Sequence, residues 1–132
     1  MGKILITGGA GYIGSHVNKA LAARGYDTLV LDNLVYGYRS FVKWGDFVLA
    51  DLANQEQLKL IFEKHTIDVV IHFAAFAYVG ESMSDPQKYY QNNVVNTVNL
   101  LETMLQFGIK TFIFSSTCAT YGIPQEIPIS ET

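Results

Sequence analysis

The chain has 132 residues, of which 49% are hydrophobic and 13% aromatic, and its formal net charge is −3. This composition excludes a disordered chain, and the acidic balance gives no basic footprint for nucleic acid. A single cysteine excludes a disulfide scaffold and fits a reducing compartment. No apolar run reaches the roughly 20 residues of a membrane span, so we expect a cytoplasmic protein.

Five short apolar runs and three helical patterns alternate along the chain. The runs lie at 3–7, 28–31, 47–49, 69–73 and 111–115, and the helical patterns at 12–24, 55–64 and 86–107. The runs are almost continuously apolar, which is typical of parallel strands buried on both faces. Residues 33–46 resemble a loop instead of a helix. The alternation implies right-handed crossovers. We therefore predict an α/β fold with a doubly wound, Rossmann-like parallel sheet in the order 3-2-1-4-5.

The third helical pattern is the longest. Asp85 and Pro86 open it, because Pro is favoured in the first turn of a helix. Its apolar face runs along Val94, Val98, Leu101 and Leu105, and the pattern ends at Gly108.

A glycine-rich segment follows the first strand and opens the first helix. Gly8, Gly11 and Gly14 are spaced as G-x-x-G-x-x-G, and Gly9 adds an overlapping G-x-G-x-x-G. Glycines let the backbone approach a pyrophosphate, which free N–H groups at the helix start then bind. Asp32, at the end of the second strand, would accept hydrogen bonds from ribose hydroxyls and repel a 2′-phosphate. The pattern favours NAD over NADP; the alternative is a glycine-rich turn that binds nothing.

Further motifs carry a resemblance over essentially the whole chain. They are Asp51-Leu52, His72-Phe73-Ala74-Ala75, Val79-Gly80-Glu81-Ser82, Tyr89-Tyr90-Gln91-Asn92-Asn93 and Phe114-Ser115-Ser116-Thr117. With the glycine-rich segment and Asp32, they make the chain resemble the N-terminal part of extended short-chain dehydrogenase/reductases. Within that group it is similar to the NAD-dependent epimerases and dehydratases that act on nucleotide sugars.

The resemblance implies site residues by position. The implied NAD-binding residues are Gly8, Gly11, Tyr12, Ile13, Gly14, Asp32, Asn33, Asp51, Leu52, Phe73, Ala74, Ala75 and Asn92. Tyr12 and Ile13 would lie on the pyrophosphate, residues 32–37 around the adenosine ribose, and Asp51 with Leu52 at the adenine edge. Residues 73–77 would line the rest of the cofactor, and Asn92 would touch it or support the loop that does.

The resemblance also implies a reaction. NAD takes a hydride from C4 of a UDP-hexose, the 4-keto intermediate turns over, and the hydride returns to the other face, which interconverts UDP-glucose and UDP-galactose. Thr117 would be the catalytic proton relay to the sugar hydroxyl. No metal is expected, because His16, His65 and His72 do not have ligand spacing.

The family's base is a Tyr with Lys four residues later. None of the eight tyrosines here has Lys at that distance, and the family's pair would lie beyond Thr132. We therefore expect residues 1–122 to be an NAD-binding domain and residues 123–132 to begin a loop toward an absent substrate domain. This chain alone would be inactive.

Two alternatives stay open at this point. One is a non-catalytic NAD-binding or redox-sensing module, and the other is a different NAD-dependent nucleotide-sugar enzyme. A dehydratase is disfavoured, because Cys118 and Ala119 stand where dehydratases carry Asp-Glu. Family members commonly dimerise through helices that include the one at 86–107, which makes a homodimer one of the expected assemblies.

Overall fold

A five-stranded parallel sheet lies at the centre of the computed structural model, which describes residues 2–130 without the side chain of Cys118. The strands are β1 (Lys3–Thr7), β2 (Thr28–Asp32), β3 (Asp46–Leu49), β4 (Ile67–His72) and β5 (Thr111–Phe114). Their order is β3-β2-β1-β4-β5, and all neighbouring pairs are parallel. The predicted sheet and its order are confirmed.

Helices connect the strands and cover the sheet. They are α1 (Tyr12–Ala23), α2 (Gln55–Lys64), α3 (Val79–Ser84), α4 (Pro86–Tyr90) and α5 (Asn96–Gln106), with 3₁₀ turns at Arg39–Phe41 and Cys118–Tyr121. Asn54 caps α2 by accepting a hydrogen bond from the N–H of Gln57 at 3.0 Å. Asp85 caps α4 by accepting from the N–H of Lys88 at 3.2 Å. Such caps satisfy N–H groups that have no partner inside the helix.

The core is divided between the two faces of the sheet. Successive residues of a strand point to opposite faces, so Leu5 packs with the buried side chains of α2 and α5 on one face. Ile4 and Ile6 pack on the other face, where Val17 and Leu21 of α1 cover them. Burial on both faces explains why the runs for β1 and β2 are almost continuously apolar.

The edge strand β5 departs from that pattern. Ile113 and Phe114 are exposed, at 51% and 58% of their surface, although their run was interpreted as a strand buried on both faces. Only β4 pairs with β5 among the described residues. The strand therefore has one open edge and little cover.

The segment predicted as one helix over 86–107 is interrupted. A π-helical turn at Gln91–Val95 lies between α4 and α5. The helix α3, which lies before this segment, was not predicted from the sequence.

The face of α5 that packs on the sheet also differs from the apolar face described above. Leu100 and Met104 are the apolar residues that α5 buries in the core. Val98 and Leu105 are 46% and 72% exposed. The helix has apolar residues on two sides, and the apolar face described from the sequence is mostly the outer one.

Candidate functional site

The glycine-rich turn lies at the carboxyl edge of the sheet, between β1 and α1, where the strand order reverses. Gly8 has a φ of +72°, and a Cβ there would lie 2.6 Å from the backbone nitrogen of Ala74. Gly11 is the N-cap of α1 and leaves the first N–H groups without a side-chain cap. Gly14 is buried in the first helical turn. This backbone cradle at the start of a 12-residue helix fits the pyrophosphate of a dinucleotide.

Asp32 connects this turn to the end of β2. Asp32 is 7% exposed, and its carboxylate accepts hydrogen bonds from the N–H of Ala10 at 2.9 Å and of Leu34 at 2.8 Å. One bond goes to each carboxylate oxygen, so each oxygen keeps a further lone pair for a ligand hydroxyl. Leu34 has a φ of +61°, and strained backbone of this kind occurs most often at ligand-binding and active sites. The sequence pointed to Asp32 as a ligand but not as the residue that anchors the turn.

An open pocket of about 300 Å³ continues from the end of β2 toward β3. Its lining is formed by Asn33, Leu49, Ala50, Asp51 and Gln57. Asn33 donates to Asp51 at 2.9 Å, and Gln57 donates to the carbonyl of Leu49 at 3.1 Å. Gln57 was missed by sequence reasoning, because nothing in the pattern of α2 distinguishes it from a surface residue. The side chain of Leu52 lies in the core instead of the pocket.

The segment after β4 is held from the π-helical turn. Asn93 accepts from the N–H of Phe76 at 2.8 Å and donates to the carbonyl of Phe76 at 2.9 Å. Asn92 donates to Asn93 at 2.9 Å and therefore supports this segment through its neighbour. Asn93 was missed as a site residue, although two consecutive Asn residues are unusual inside a helix because Asn favours caps and turns. π-helical turns are frequent at functional sites.

The positions after β4 that were predicted to line the cofactor differ in exposure. The N–H of Phe73 bonds to the carbonyl of Thr7 at 2.8 Å, and Phe73 is partly buried against the core. Ala74 is partly buried and Ala75 is exposed. On the other side of the turn, Tyr12 and Ile13 are 75% and 59% exposed.

His72 lies under this edge in a buried hydrogen-bond chain. Its Nδ1 lies 2.6 Å from the hydroxyl of Thr7, and its Nε2 lies 3.1 Å from the hydroxyl of Thr97. Thr97 donates its proton to the carbonyl of Asn93 at 2.8 Å, so Nε2 of His72 must be the donor and Nδ1 the acceptor. Burial lowers the pKa of His72 to about 4. His72 is therefore a hydrogen-bonded histidine of the core.

Thr117 lies beyond the end of β5, at the same edge of the sheet. It is exposed and caps the following 3₁₀ turn by accepting from the N–H of Ala119 at 3.2 Å. A hydroxyl has one proton and two lone pairs. Thr117 therefore keeps its proton and one lone pair for another partner.

The described part of the chain has neither a cluster of metal ligands nor a membrane-spanning helix. Within residues 2–130, leaving out the Cys118 side chain, no three His, Cys, Asp or Glu side chains are grouped so that they could hold a metal ion. Over the same part of the chain, no helix has the length and apolar character needed to cross a membrane.

The strand order and the glycine-rich turn define a Rossmann-like α/β domain. Comparison with known proteins is more specific: the chain belongs to the NAD dependent epimerase/dehydratase family, whose model matches residues 4–132. It is 48% identical over 130 residues to a UDP-glucose 4-epimerase of Rhizobium meliloti, with 98% of this chain and 40% of the relative covered. The chain thus spans about 40% of the length of that relative.

Solved structures agree with this assignment. A UDP-glucose 4-epimerase from Brucella ovis in complex with NAD superposes with a TM-score of 0.91 at 51% identity, covering 99% of this chain and 40% of that one. An enzyme of the same name from Stenotrophomonas maltophila, with bound NAD and formylated UDP-arabinopyranose, gives a TM-score of 0.91 at 34% identity, with coverages of 100% and 42%.

Proposed function

We propose that this chain is the NAD-binding part of a nucleotide-sugar 4-epimerase. One observation carries the proposal: the backbone cradle at the start of α1 is held against a buried carboxylate by the 2.9 Å bond from Ala10 to Asp32. That arrangement offers N–H groups to a pyrophosphate and lone pairs to an adenosine ribose. The negative charge of Asp32 opposes a 2′-phosphate, which supports NAD over NADP. The structure of the similar Brucella ovis enzyme was solved in complex with NAD.

The remaining proposed cofactor contacts use the other predicted site residues. The adenosine would lie toward the pocket formed by Asn33 and Asp51, and Tyr12 and Ile13 would meet the pyrophosphate at the start of α1. The far half of the dinucleotide would lie along residues 73–75, with Asn92 as a supporting residue. A domain over residues 1–122, followed by a connecting segment, is the matching proposal for the organisation of the chain.

Binding of NAD can be tested directly. Thermal unfolding of the chain with NAD at a hundred times its Kd should show a stabilisation of about 2.7 kcal/mol, and NADP at the same concentration should show much less. Asp32→Asn should lose most of the NAD effect. Asp27→Asn, at the opposite edge of the sheet, is the matched control and should keep it. A chain that unfolds identically with and without NAD would contradict the proposal.

For the complete protein we propose interconversion of UDP-glucose and UDP-galactose. Bound NAD would supply the acceptor for the hydride at C4 of the sugar. Thr117 would hydrogen-bond the sugar hydroxyl and pass its proton to a base outside this chain, since its proton and one lone pair are available. The 132-residue chain alone should not turn over UDP-galactose, because none of its tyrosines has the Lys partner that lowers a tyrosine pKa.

A chimera tests this part of the proposal. The chain would replace the corresponding N-terminal segment of the Rhizobium meliloti enzyme, to which it is 48% identical. Epimerase activity of the chimera, reduced about a hundredfold or more by Thr117→Val, is the expected result. Thr120→Val, three residues along, is the control. A folded, NAD-binding chimera without activity would favour the alternative of a non-catalytic NAD-binding module.

We also propose that the complete protein is a homodimer. The outer side of α4, the π-helical turn and α5 exposes Tyr90, Val94, Val98 and Leu105 at 70%, 50%, 46% and 72%. These positions recur at helical spacing, and an apolar stripe of this kind suits a two-fold helix-to-helix contact. Val98→Glu should convert a dimer into a monomer in sedimentation equilibrium. A complete protein that is monomeric without the substitution would contradict the assignment.

The proposed location is the cytoplasm. The chain has one cysteine, and proteins kept in a reducing compartment do not depend on disulfides. Fractionation of cells that express the tagged chain checks this proposal.

A further inference from the structure

The loop after β2 and the segment after β4 meet across the end of β1. The strand β1 lies between β2 and β4, so a contact between these two connections passes the glycine-rich turn. The ring of Tyr36 meets the ring of Phe76 edge-on, with centroids 5.0 Å apart. The same loop is tied to the turn, because Tyr38 donates its N–H to the carbonyl of Ala10 at 2.9 Å. The two connections therefore border the crevice in which the dinucleotide is proposed to lie.

An ionic group joins the two sides at this contact. Glu81, in α3, accepts hydrogen bonds from the hydroxyl of Tyr36 at 3.3 Å and from Nζ of Lys88 at 2.7 Å. Lys88, in α4, also donates to the hydroxyl oxygen of Tyr36 at 3.1 Å. Tyr89 donates its hydroxyl proton to Glu81 at 2.7 Å. We call Tyr36, Glu81, Lys88 and Tyr89 the clasp.

The environment of the clasp favours its charged form. The side chains of Glu81 and Lys88 are 35% and 33% exposed, and Nζ of Lys88 lies 5.0 Å from the ring centroid of Phe76. The hydrogen bond from Lys88, followed by that from Tyr89, lowers the pKa of Glu81. The hydrogen bond to Glu81 raises the pKa of Lys88. An isolated surface ion pair contributes little, but several donors on one carboxylate form a network that fixes geometry.

The loop that the clasp holds is the one that touches Asp32. A Cβ placed on Gly37, the residue after Tyr36, would lie 2.7 Å from Oδ1 of Asp32. A movement of Tyr36 away from Glu81 would therefore shift Gly37 relative to the carboxylate of Asp32, which anchors the turn. This places the clasp in mechanical contact with the proposed ribose site: Tyr36 belongs to the segment 32–37 that the resemblance places around the ribose, and Glu81, Lys88 and Tyr89 lie outside it.

We propose that Glu81 is a positioning residue, whose clasp keeps the loop after β2 in its dinucleotide-binding position and slows the release of NAD. The inference rests on the proposed function and adds to it the residue that sets how long the cofactor stays bound. With the clasp formed, the loop is fastened on both sides of β1. Without it, the loop keeps its hydrogen bonds to the turn, Asp32 and Asp51 and its ring contact with Phe76, but it loses one restraint that opposes dissociation. Changes of this kind act mainly on dissociation rates.

The test is the rate at which NADH leaves the chain, followed by its fluorescence while excess NAD displaces it. Glu81→Gln should raise the dissociation rate constant about tenfold, the factor expected from the loss of one hydrogen bond to a charged group. Tyr36→Phe, which removes one oxygen atom, should raise it about threefold. Glu56→Gln breaks the exposed 3.2 Å pair with Lys59 on α2, and it should stay within twofold of the unchanged chain.

Each result decides one question. Faster release in Glu81→Gln and Tyr36→Phe with unchanged release in Glu56→Gln supports the clasp. Release within twofold in both clasp variants, even with a lower Tm, overturns the clasp and leaves NAD binding intact. An unchanged chain that binds neither NAD nor NADH overturns the proposed function and, with it, the role of Glu81.

Discussion

The buried histidine of β4 makes stability depend on pH in a way that can be calculated. His72 is 2% exposed, and its two ring nitrogens are both engaged, as acceptor from Thr7 and as donor to Thr97. Protonation would place a second donor at Nδ1 and a charge in the core. The pKa falls from 6.5 to about 4 on folding because burial disfavours the charged ring.

The sign of the effect follows from proton uptake. Below pH 6.5 the unfolded chain binds a proton at His72 that the folded chain does not bind, so stability is present above this pH and is lost as the pH falls toward 4. A tenfold change in proton affinity corresponds to about 1.4 kcal/mol. The full loss is therefore about 3 kcal/mol, a large part of the roughly 5–15 kcal/mol that stabilises a typical domain.

Urea unfolding between pH 7.5 and 4.5 measures this loss. By pH 4.5 the unchanged chain should have lost about 2.5 kcal/mol through His72. His72→Gln, which keeps one donor and one acceptor, should be less stable at pH 7.5 but should lose about 2.5 kcal/mol less on acidification. His16→Gln, at an exposed position of α1, controls for loss of a histidine as such. Parallel pH profiles for the unchanged chain and His72→Gln would refute the reasoning.

Three further predictions concern the turn, its support and the core. Gly8→Ala should destabilise the chain by about 1–3 kcal/mol and abolish NAD binding, because a Cβ meets Ala74 and φ is +72°; a thermal melt as stable as that of the unchanged chain would contradict this. Asn93→Ala leaves both backbone groups of Phe76 without their partner and should cost about 1–3 kcal/mol in urea unfolding; a cost below about 0.5 kcal/mol would show that the support is dispensable. Leu100→Ala should cost about 2–5 kcal/mol, whereas Leu105→Ala on the outer side of α5 should stay within about 0.5 kcal/mol; equal costs would mean that the helix face is assigned wrongly.

Local patterns were sufficient for the centre of the sheet because β1 and β2 are buried on both sides. Every residue between Lys3 and Thr7 in β1, and between Thr28 and Asp32 in β2, is apolar. The alternation of such runs with helices leaves few topologies to choose from. The turn between them was predictable for a similar reason, since Gly8 has to satisfy a backbone constraint that few other residues can meet.

The face of α5 could not be predicted in this way. The helix has apolar residues on two sides, and only the position of the sheet selects Leu100 and Met104 over Val98 and Leu105 for burial. The buried side even includes Asn96 and Thr103. A hydrophobic pattern shows that a helix has an apolar side but does not state which partner that side meets.

The residues that support the site form hydrogen bonds with residues that are far away in the sequence. Asn93 accepts a hydrogen bond from the N–H of Phe76, and Lys88 donates one to Tyr36, 52 residues earlier in the chain. Such pairs have no local signature, because their residue types are ordinary surface residues until the fold brings them together. The resemblance to a family pointed to residues that would touch the cofactor, and the structure adds those that hold them in place.

Asp32 affects both the choice of nucleotide and the stability of the turn, because its carboxylate accepts two backbone hydrogen bonds. A change at this position meant to admit a phosphorylated ribose would also remove the acceptor for Ala10 and Leu34. A switch of cofactor would therefore need a second substitution that rescues the turn before the new preference could be useful. In an evolving population, that requirement would keep NAD specificity in place even where selection for it is weak.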